Sequence, residues 1–377
     1  MTRPPHAFDV GVIGGGPAGA TAATTLARSG LRVLLVDDAC RPVFKVGEGL
    51  PPAAAPLLCD LGVSPHLDAD GHLRSHGNDS AWGGPQLQST SFLRDPNGPG
   101  WHLDRARFDA SLREVARRAG ACVRTSIRVR SATCSSLGWL LTLDGNGSET
   151  RASASWVIDC TGRRSSVARA NGAVRVKDDR LVASVARFTP ARDRSCGDVD
   201  STTLVEAAPH GWWYTALVPA HQRIVVYLTD ATDPTAIQSR TTDGFALLLK
   251  QSRHIQARLA DHGYIIAARP TLVAADTSRL TCPAGDRWVA AGDAALAFDP
   301  LSSQGILTAL YSGMRAAQAV SAHLAGDCHA IPAYTERIDA VYTAYLDHRR
   351  RYYGYERRWP RHEFWRSRRE IRPVGAV

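Results

Sequence analysis

Short apolar runs separated by polar turns recur along this chain, and their lengths point to two kinds of element. Residues 9–13 and 31–36 are near-continuous apolar runs of strand length, as expected of strands buried on both faces. Between them an Ala- and Thr-rich stretch up to Arg28, closed by Ser29-Gly30, predicts a helix. Two later runs, 156–158 and 288–291, share the apolar character and end in polar turns. Around residues 181–188, 201–206 and 223–229 the runs are short and alternating, which predicts strands of a separate sheet. Residues 306–317 predict an apolar helix and 333–350 an amphipathic one. No internal repeat or low-complexity segment interrupts the pattern.

The turn after the first strand reads Gly14-Gly15-Gly16-Pro17-Ala18-Gly19, and Asp37 closes the second strand 23 residues after Gly14. Each part has a physical task. Gly14 permits a tight turn, Gly16 lets backbone approach a pyrophosphate, and Gly19 lets helix pack on strand. The helix start at Pro17 and Ala18 offers free amides and a positive dipole end to phosphate. A carboxylate at Asp37 can accept hydrogen bonds from ribose hydroxyls. Strand, glycine turn, helix, strand and acid in that order predict dinucleotide binding.

Composition narrows the class. The chain has 377 residues, 44% of them apolar, enough for a large core in two or three units. No apolar run reaches the length of a membrane helix, and the polar, proline-containing start does not resemble a signal peptide, so a cytoplasmic enzyme without a membrane partner is expected. The eight cysteines, at 40, 59, 122, 134, 160, 196, 282 and 328, form no Cys-x-x-Cys pair and no zinc spacing. They read as reduced thiols, and no metal site is expected. The formal charge is +9, yet only three of the 45 basic residues are lysines and the arginines are spread out, densest from Arg349 to Arg372. That distribution suits a solvated surface or an acidic ligand, and no nucleic-acid partner is expected.

Two further segments separate the possible dinucleotides. One runs Trp156-Val157-Ile158-Asp159-Cys160-Thr161-Gly162, the other Trp288-Val289-Ala290-Ala291-Gly292-Asp293. With the glycine turn they resemble the p-hydroxybenzoate hydroxylase-type flavoproteins, a superfamily of monooxygenases, tryptophan halogenases and geranylgeranyl reductases. The resemblance spans about residues 8–330 and implies FAD, held by Gly14, Gly16, Pro17, Ala18, Gly19, Asp37, Asp159, Gly162, Gly292 and Asp293. It implies Arg105, in Leu103-Asp104-Arg105, and Val129 as further cofactor contacts, and Lys45 and Glu48 beside the isoalloxazine. The helix after Asp299-Pro300-Leu301-Ser302-Ser303-Gln304-Gly305-Ile306 would point its start at the flavin pyrimidine edge, where a positive dipole end stabilises reduced, anionic flavin. Pro300, Gly305 and Ile306 are then cofactor contacts, and Pro300, Ser303 and Gln304 belong to the catalytic set. The implied fold is α/β: a Rossmann-type, glutathione-reductase-like βαβ FAD domain (1–80, 100–175, 280–330), an inserted mixed-sheet substrate domain (81–99, 176–279), and a C-terminal helical and aromatic segment (331–377).

The reaction is read from the second unit. Gly211-Trp212-Trp213-Tyr214 suggests an aromatic wall for a flat substrate. It resembles the Gly-Trp-x-Trp stretch of flavin-dependent halogenases but carries Tyr214 in place of the second tryptophan. Those halogenases also use a lysine about thirty residues beyond the Val-Gly-Glu segment, and no lysine stands between Lys45 and Lys177. The reading therefore turns to an FAD-dependent monooxygenase hydroxylating an electron-rich ring through a flavin C4a-hydroperoxide. Residues 77–83, 98–105 and the aromatic tail 352–365 add a resemblance to flavoproteins that hydroxylate peptidyl tryptophan in quinone-cofactor maturation. Trp212, Trp213 and Tyr214 are the expected substrate contacts, and His102 and His210 the candidate general bases. Molecular oxygen and NAD(P)H, direct or through a separate flavin reductase, complete the cofactors. The substrate partner is an aromatic small molecule or a tryptophan-containing peptide or protein. Halogenation and flavin-dependent double-bond reduction stay open as alternatives. The tail fits either a packed lid or a docking surface.

Overall fold

A computed structural model of the protein describes residues 7–39, 45–145, 147–191 and 197–369. Cys40, Cys196 and residues 370–377 of the C-terminal segment lie outside the described residues. The other six cysteines are free thiols.

The near-continuous apolar runs form the centre of an eight-stranded sheet, as strands buried on both faces must. Ala7–Ile13 lies between Val33–Asp37 and Ser148–Asp159 and is parallel to both. Cys122–Thr125 and Trp288–Ala290 extend the parallel set on either side. The register pairs Ile13 with Val36 and with Asp159, and Asp159 with Ala290. The carboxyl ends of these strands therefore finish at one level. In a parallel sheet that edge is where ligands bind. The hairpin Arg128–Ser135 and Gly138–Gly145 continues antiparallel from Ser148–Asp159.

Pro17–Arg28 is buried along nine of its twelve residues. Its alanines give it helix propensity without bulk, and the Thr24 hydroxyl donates to the Ala20 carbonyl at 2.8 Å instead of competing for a partner elsewhere. Gly30, at φ +81°, follows in the left-handed region just past the end. The helix lies against Gly305–Leu324, and a Cβ at Gly313 would stand 2.2 Å from the Ala18 carbonyl oxygen. Glycine there lets two helix backbones touch.

The alternating runs build a second, mixed eight-stranded sheet. Its order is Tyr264–Ile266, Leu181–Pro190, Gln222–Asp230, Gly211–Val218, Thr203–Ala208, Gly77–Ala81 and Gln88–Ser91, with Thr271–Ala274 also on Leu181–Pro190. Thr203–Ala208 runs parallel to Gly77–Ala81. The chain thus enters this sheet at residue 77. Ala330–Tyr355 is longer than the 333–350 expected. Its first half packs on the core of the parallel sheet through Tyr334, Ile338, Tyr342 and Tyr345. Tyr353, Phe364 and Trp365 instead join the core of the second sheet with Trp212. The tail is a packed element.

Because the atom facing Gly313 is backbone and cannot turn aside, Gly313→Leu should cost at least the usual 1–3 kcal/mol of overpacking, roughly. Thermal unfolding should show a clear drop in Tm, with Gly354→Ala, at a position where a Cβ meets nothing within 4 Å, as the silent control.

Candidate active site

Two adjoining cavities open along the carboxyl edge of the parallel sheet, sharing Gly16, Pro17, Arg105, Cys160 and Gly162 as common wall. The first, ≈ 460 Å³, lies over the glycine turn and is lined by Asp37, Lys45, Val129 and Arg164. The second, ≈ 360 Å³, lies between the two sheets and is lined by Glu48, Asp293, Pro300, Ser303, Gly305 and Ile306 on one side and Thr203, Trp212, Tyr214 and Val226 on the other.

The glycine turn is built to admit a phosphate-bearing ligand. Gly14 has φ +105°, and a Cβ there would reach within 2.2 Å of the Cys160 carbonyl oxygen. A Cβ on Gly19 would meet the Gly14 carbonyl oxygen at 1.8 Å. A Cβ on Gly16 would meet nothing within 4 Å, because it would point into the space shared by both cavities. Gly16 caps the helix start with no side chain of its own, so the first amides of Pro17–Arg28 stay free for a ligand. Asp37 is held in place by Arg113, whose Nη1 donates to the carboxylate at 3.2 Å and to the Gly15 carbonyl at 3.1 Å. Nothing in the local sequence marks Arg113, since it comes from the helix Arg105–Arg118. Cradle, free helix start and ribose-facing carboxylate together fit the ADP half of FAD.

Arg105 donates to the carbonyls of Val46 (3.0 Å) and Gly47 (2.9 Å), and to Asp109 at 3.3 Å. Lys45 pairs with the same Asp109 at 2.8 Å. These bonds pin the 45–48 loop at the junction of the cavities. The helix Gly305–Leu324 begins at Gln304 with no side-chain cap, and a Cβ on Gly305 would again meet nothing within 4 Å. Its open N-terminus therefore faces the chamber. The preceding turn, Pro300–Ser302, ends with Ser303 at φ +50°.

Asp299 fixes that turn. Its carboxylate accepts from the Leu301 amide (2.9 Å) and the Tyr353 hydroxyl (2.7 Å), with Arg349 3.5 Å away. The Tyr353 hydroxyl in turn accepts from Trp212 Nε1 at 3.1 Å. Burial pushes the Asp299 carboxyl up, against the lowering effect of Arg349. In the sequence Asp299 has no signal of its own beyond the segment it belongs to. Its role and that of Tyr353 follow from contacts spanning more than fifty residues.

Several expected site residues sit elsewhere. Trp213 points to the far face of the second sheet, against Tyr227 (4.5 Å) and Phe245 (5.2 Å). In a strand successive side chains alternate, so Trp212 and Tyr214 face the chamber and Trp213 cannot. His210 is exposed, bonded to Asp233 at 3.0 Å and edge-on to His362. His102 is buried outside both cavities, with Nε2 2.9 Å from the Thr203 hydroxyl. Gln304 is exposed and lines neither cavity. Asp159 lines neither cavity. It accepts from Thr161 N and Oγ1 and from the amides of Val167 and Ala168, and so holds the turn that carries Gly162. Gly292, at φ +62°, packs on Ala18 while its neighbour Asp293 reaches the chamber.

Known proteins share this arrangement over nearly the whole chain. The FAD-binding-domain family matches residues 7–348, and the chain belongs to it as an FAD-dependent oxidoreductase. A putative FAD-dependent oxidoreductase, LodB of Marinomonas mediterranea, is 26% identical over 367 residues, 96% of this chain and 97% of that one. A flavin-dependent halogenase of Armillaria mellea is 24% identical over 91% of this chain and 73% of its own. The myxobacterial chondrochloren halogenase CndH superposes with a TM-score of 0.87 at 26% identity, covering 97% of this chain and 87% of that one. The fold is also that of the peptidyl tryptophan dihydroxylase QhpG, with a TM-score of 0.74 at 23% identity over 98% of this chain and 80% of QhpG. Flavin-dependent halogenases are thus among the proteins this chain is similar to, within the FAD-binding-domain family. No described helix is long and apolar enough to cross a membrane.

Two outcomes test the site. Gly16→Val should leave the fold intact by circular dichroism yet weaken FAD binding by about 100-fold or more, as expected when a side chain blocks a phosphate cradle. Burial lowers His102 from 6.5 to about 4. A lowered folded value means stability present above pH 6.5 and lost as pH falls towards 4, by about 3 kcal/mol at the limit. Unfolding curves across that window should show the loss in the wild type, and His102→Gln should lack that part of it.

Proposed function

We propose that the protein is a monooxygenase that hydroxylates an electron-rich aromatic ring, the indole of tryptophan, presented by a peptide or protein. The observation that carries the reading is the chamber itself. Trp212 and Tyr214 face the Pro300–Ser303 turn across it, and none of the three lysines lines its wall. Lys177 is bonded to Asp276 at 3.3 Å and Lys45 belongs to the other cavity. Reduced FAD bound here would supply two electrons to molecular oxygen and so an electrophilic oxygen atom.

The chain's own residues then have definable tasks. Trp212 and Tyr214 orient the ring. Val205, Val226, Val273 and Leu301 exclude water from around it. The open helix start at Gly305 and Ile306 stabilises negative charge on the reduced cofactor. The fold likeness to QhpG supports a peptide-borne ring. The halogenase relatives support a second reading, halogenation of an aromatic substrate. The sequence carries no second glycine-rich nucleotide turn, which favours electrons from a separate flavin reductase or a transiently bound NAD(P)H.

FAD-loaded protein given oxygen, a flavin reductase with NADH, and tryptophan-containing peptides should yield a product heavier by one or two oxygen atoms without added halide. A product that forms only with chloride or bromide would replace this reading by the second. Unchanged peptides and small aromatics under all these conditions would sink both.

A further inference from the structure

The two histidines that would ordinarily be candidates for a base do not reach the chamber, and its carboxylates are not equivalent. Asp293 is half-exposed beside Arg163, 3.8 Å away. Asp299 is already bonded to Leu301 and Tyr353 and lies near Arg349. Glu48 differs from both. It is 5% exposed and lines the chamber. Among the described residues it has no ion-pair partner within 4 Å. The guanidinium of Arg105 is turned to the Val46 and Gly47 carbonyls and to Asp109. Burial makes its charged form costly, and the nearby Arg105 charge offsets only part of that cost.

Glu48 is also placed with care. It follows Gly47 at φ +89°, and its Oε2 accepts from the Gly47 amide at 3.1 Å. Its backbone carbonyl accepts from Leu103 at 2.9 Å. Across the chamber, from the middle of Gly211–Val218, Tyr214 lines the wall opposite Glu48, and the Glu48 charge acts on its hydroxyl. Trp212 and Tyr214 share one face of that strand with ring centroids 6.2 Å apart. A ring lying against Trp212 is therefore also beside Tyr214.

We propose that Tyr214 and Glu48 form the proton relay of the chamber: the Tyr214 oxygen takes the N–H or O–H proton of the bound ring while its own proton passes to the Glu48 carboxylate. The proposal rests on the hydroxylase reading. In that reaction the oxidant is molecular oxygen and the reductant is reduced FAD, which gives two electrons. One oxygen atom bonds to a ring carbon through the ring's π pair, and the other leaves as water. As the C–O bond forms, the ring becomes cationic and its heteroatom proton acidic. The N–H or O–H pair stays on the ring and neutralises it, and the proton ends on Glu48. Restoration of the starting state returns that proton to the departing oxygen or to solvent.

Burial pushes the Glu48 carboxyl up and the Tyr214 hydroxyl well up, the latter with help from the neighbouring Glu48 charge. The relay accepts a proton only when Glu48 is ionised, so turnover should rise with pH through a midpoint above the ordinary carboxylate range.

The test uses the FAD-loaded protein with Glu48→Gln, Tyr214→Phe and the double variant. Infrared difference spectra should show a protonated-carboxyl C=O band that is absent from Glu48→Gln and displaced in Tyr214→Phe. Saturating indole, as the probe, should move the band in the wild type and not in Tyr214→Phe. With a peptide that the wild type oxygenates, kcat should fall by about 100-fold or more in either single variant. KM and FAD content should stay near wild type, the rising pH limb should vanish in Glu48→Gln, and the double variant should be no worse than the singles. Loss of FAD from Glu48→Gln, a band untouched by indole in the wild type, or an unchanged pH limb would each overturn the relay. A wild type that oxygenates nothing would sink the hydroxylase reading instead, while the infrared arm still decides whether the pair holds a mobile proton.

Discussion

The helix Pro17–Arg28 is held by backbone contacts that only glycine permits. It lies against the parallel sheet through Gly14 and Gly19, and against Gly305–Leu324 through Gly313, where a side chain on any of the three would overlap backbone. Small residues make this possible, and van der Waals contact at such distances is lost steeply with any gap. With the helix in that position its uncapped start lies where the two cavities join. The register of the parallel strands then brings Asp37, Gly162 and Asp293 to the same edge. Cofactor geometry is a consequence of how near a nearly featureless helix can come to its neighbours.

A second constraint ties the remainder of the chain to that edge. The turn at Pro300, on the chamber wall, is held by Asp299, Asp299 by Tyr353 and Arg349, and Tyr353 by Trp212. Arg349 is itself paired with Asp179 at 2.7 Å. Buried polar groups of this kind are tolerated when each finds partners. Here the partners come from the parallel-sheet unit, the second sheet and the C-terminal helix. The aromatic tail is therefore part of the chamber's support, with Trp365 donating to the carbonyls of Ala208 and Pro209 at 3.0 and 3.1 Å. Neither sheet alone encloses the chamber.

Legibility in the sequence followed the range of the interactions. The glycine turn and Asp37 were readable because each depends on backbone conformation within a few residues and sits at a strand or helix end, whereas Glu48, Asp293 and the Pro300 helix start came from the family resemblance and lie on the cavity walls. Trp213 was open to correction from the sequence as well, since period-two alternation puts it opposite Trp212 and Tyr214. Asp159 could be located but not assigned, because a carboxylate at a strand end can serve a ligand or, as here, the amides of its own turn. His102 and His210 carried no such signal. A lone histidine has no periodicity, and only the packing of distant strands decides whether its ring meets a cavity, a hydroxyl or solvent.

The sequence by itself thus determined the dinucleotide unit and the existence of a second sheet, consequences of local backbone rules and short-range patterning, while the class of enzyme followed from the family resemblance of its motifs. The tertiary structure decided what the chamber contains: Glu48 from a loop and Tyr214 from the second sheet lining one space, Asp299 and Tyr353 joined across more than fifty residues, and the histidines outside it. That division is physical. Local geometry is written in neighbouring residues, whereas the environment that sets a side chain's charge and partners is made by segments the chain brings together only on folding.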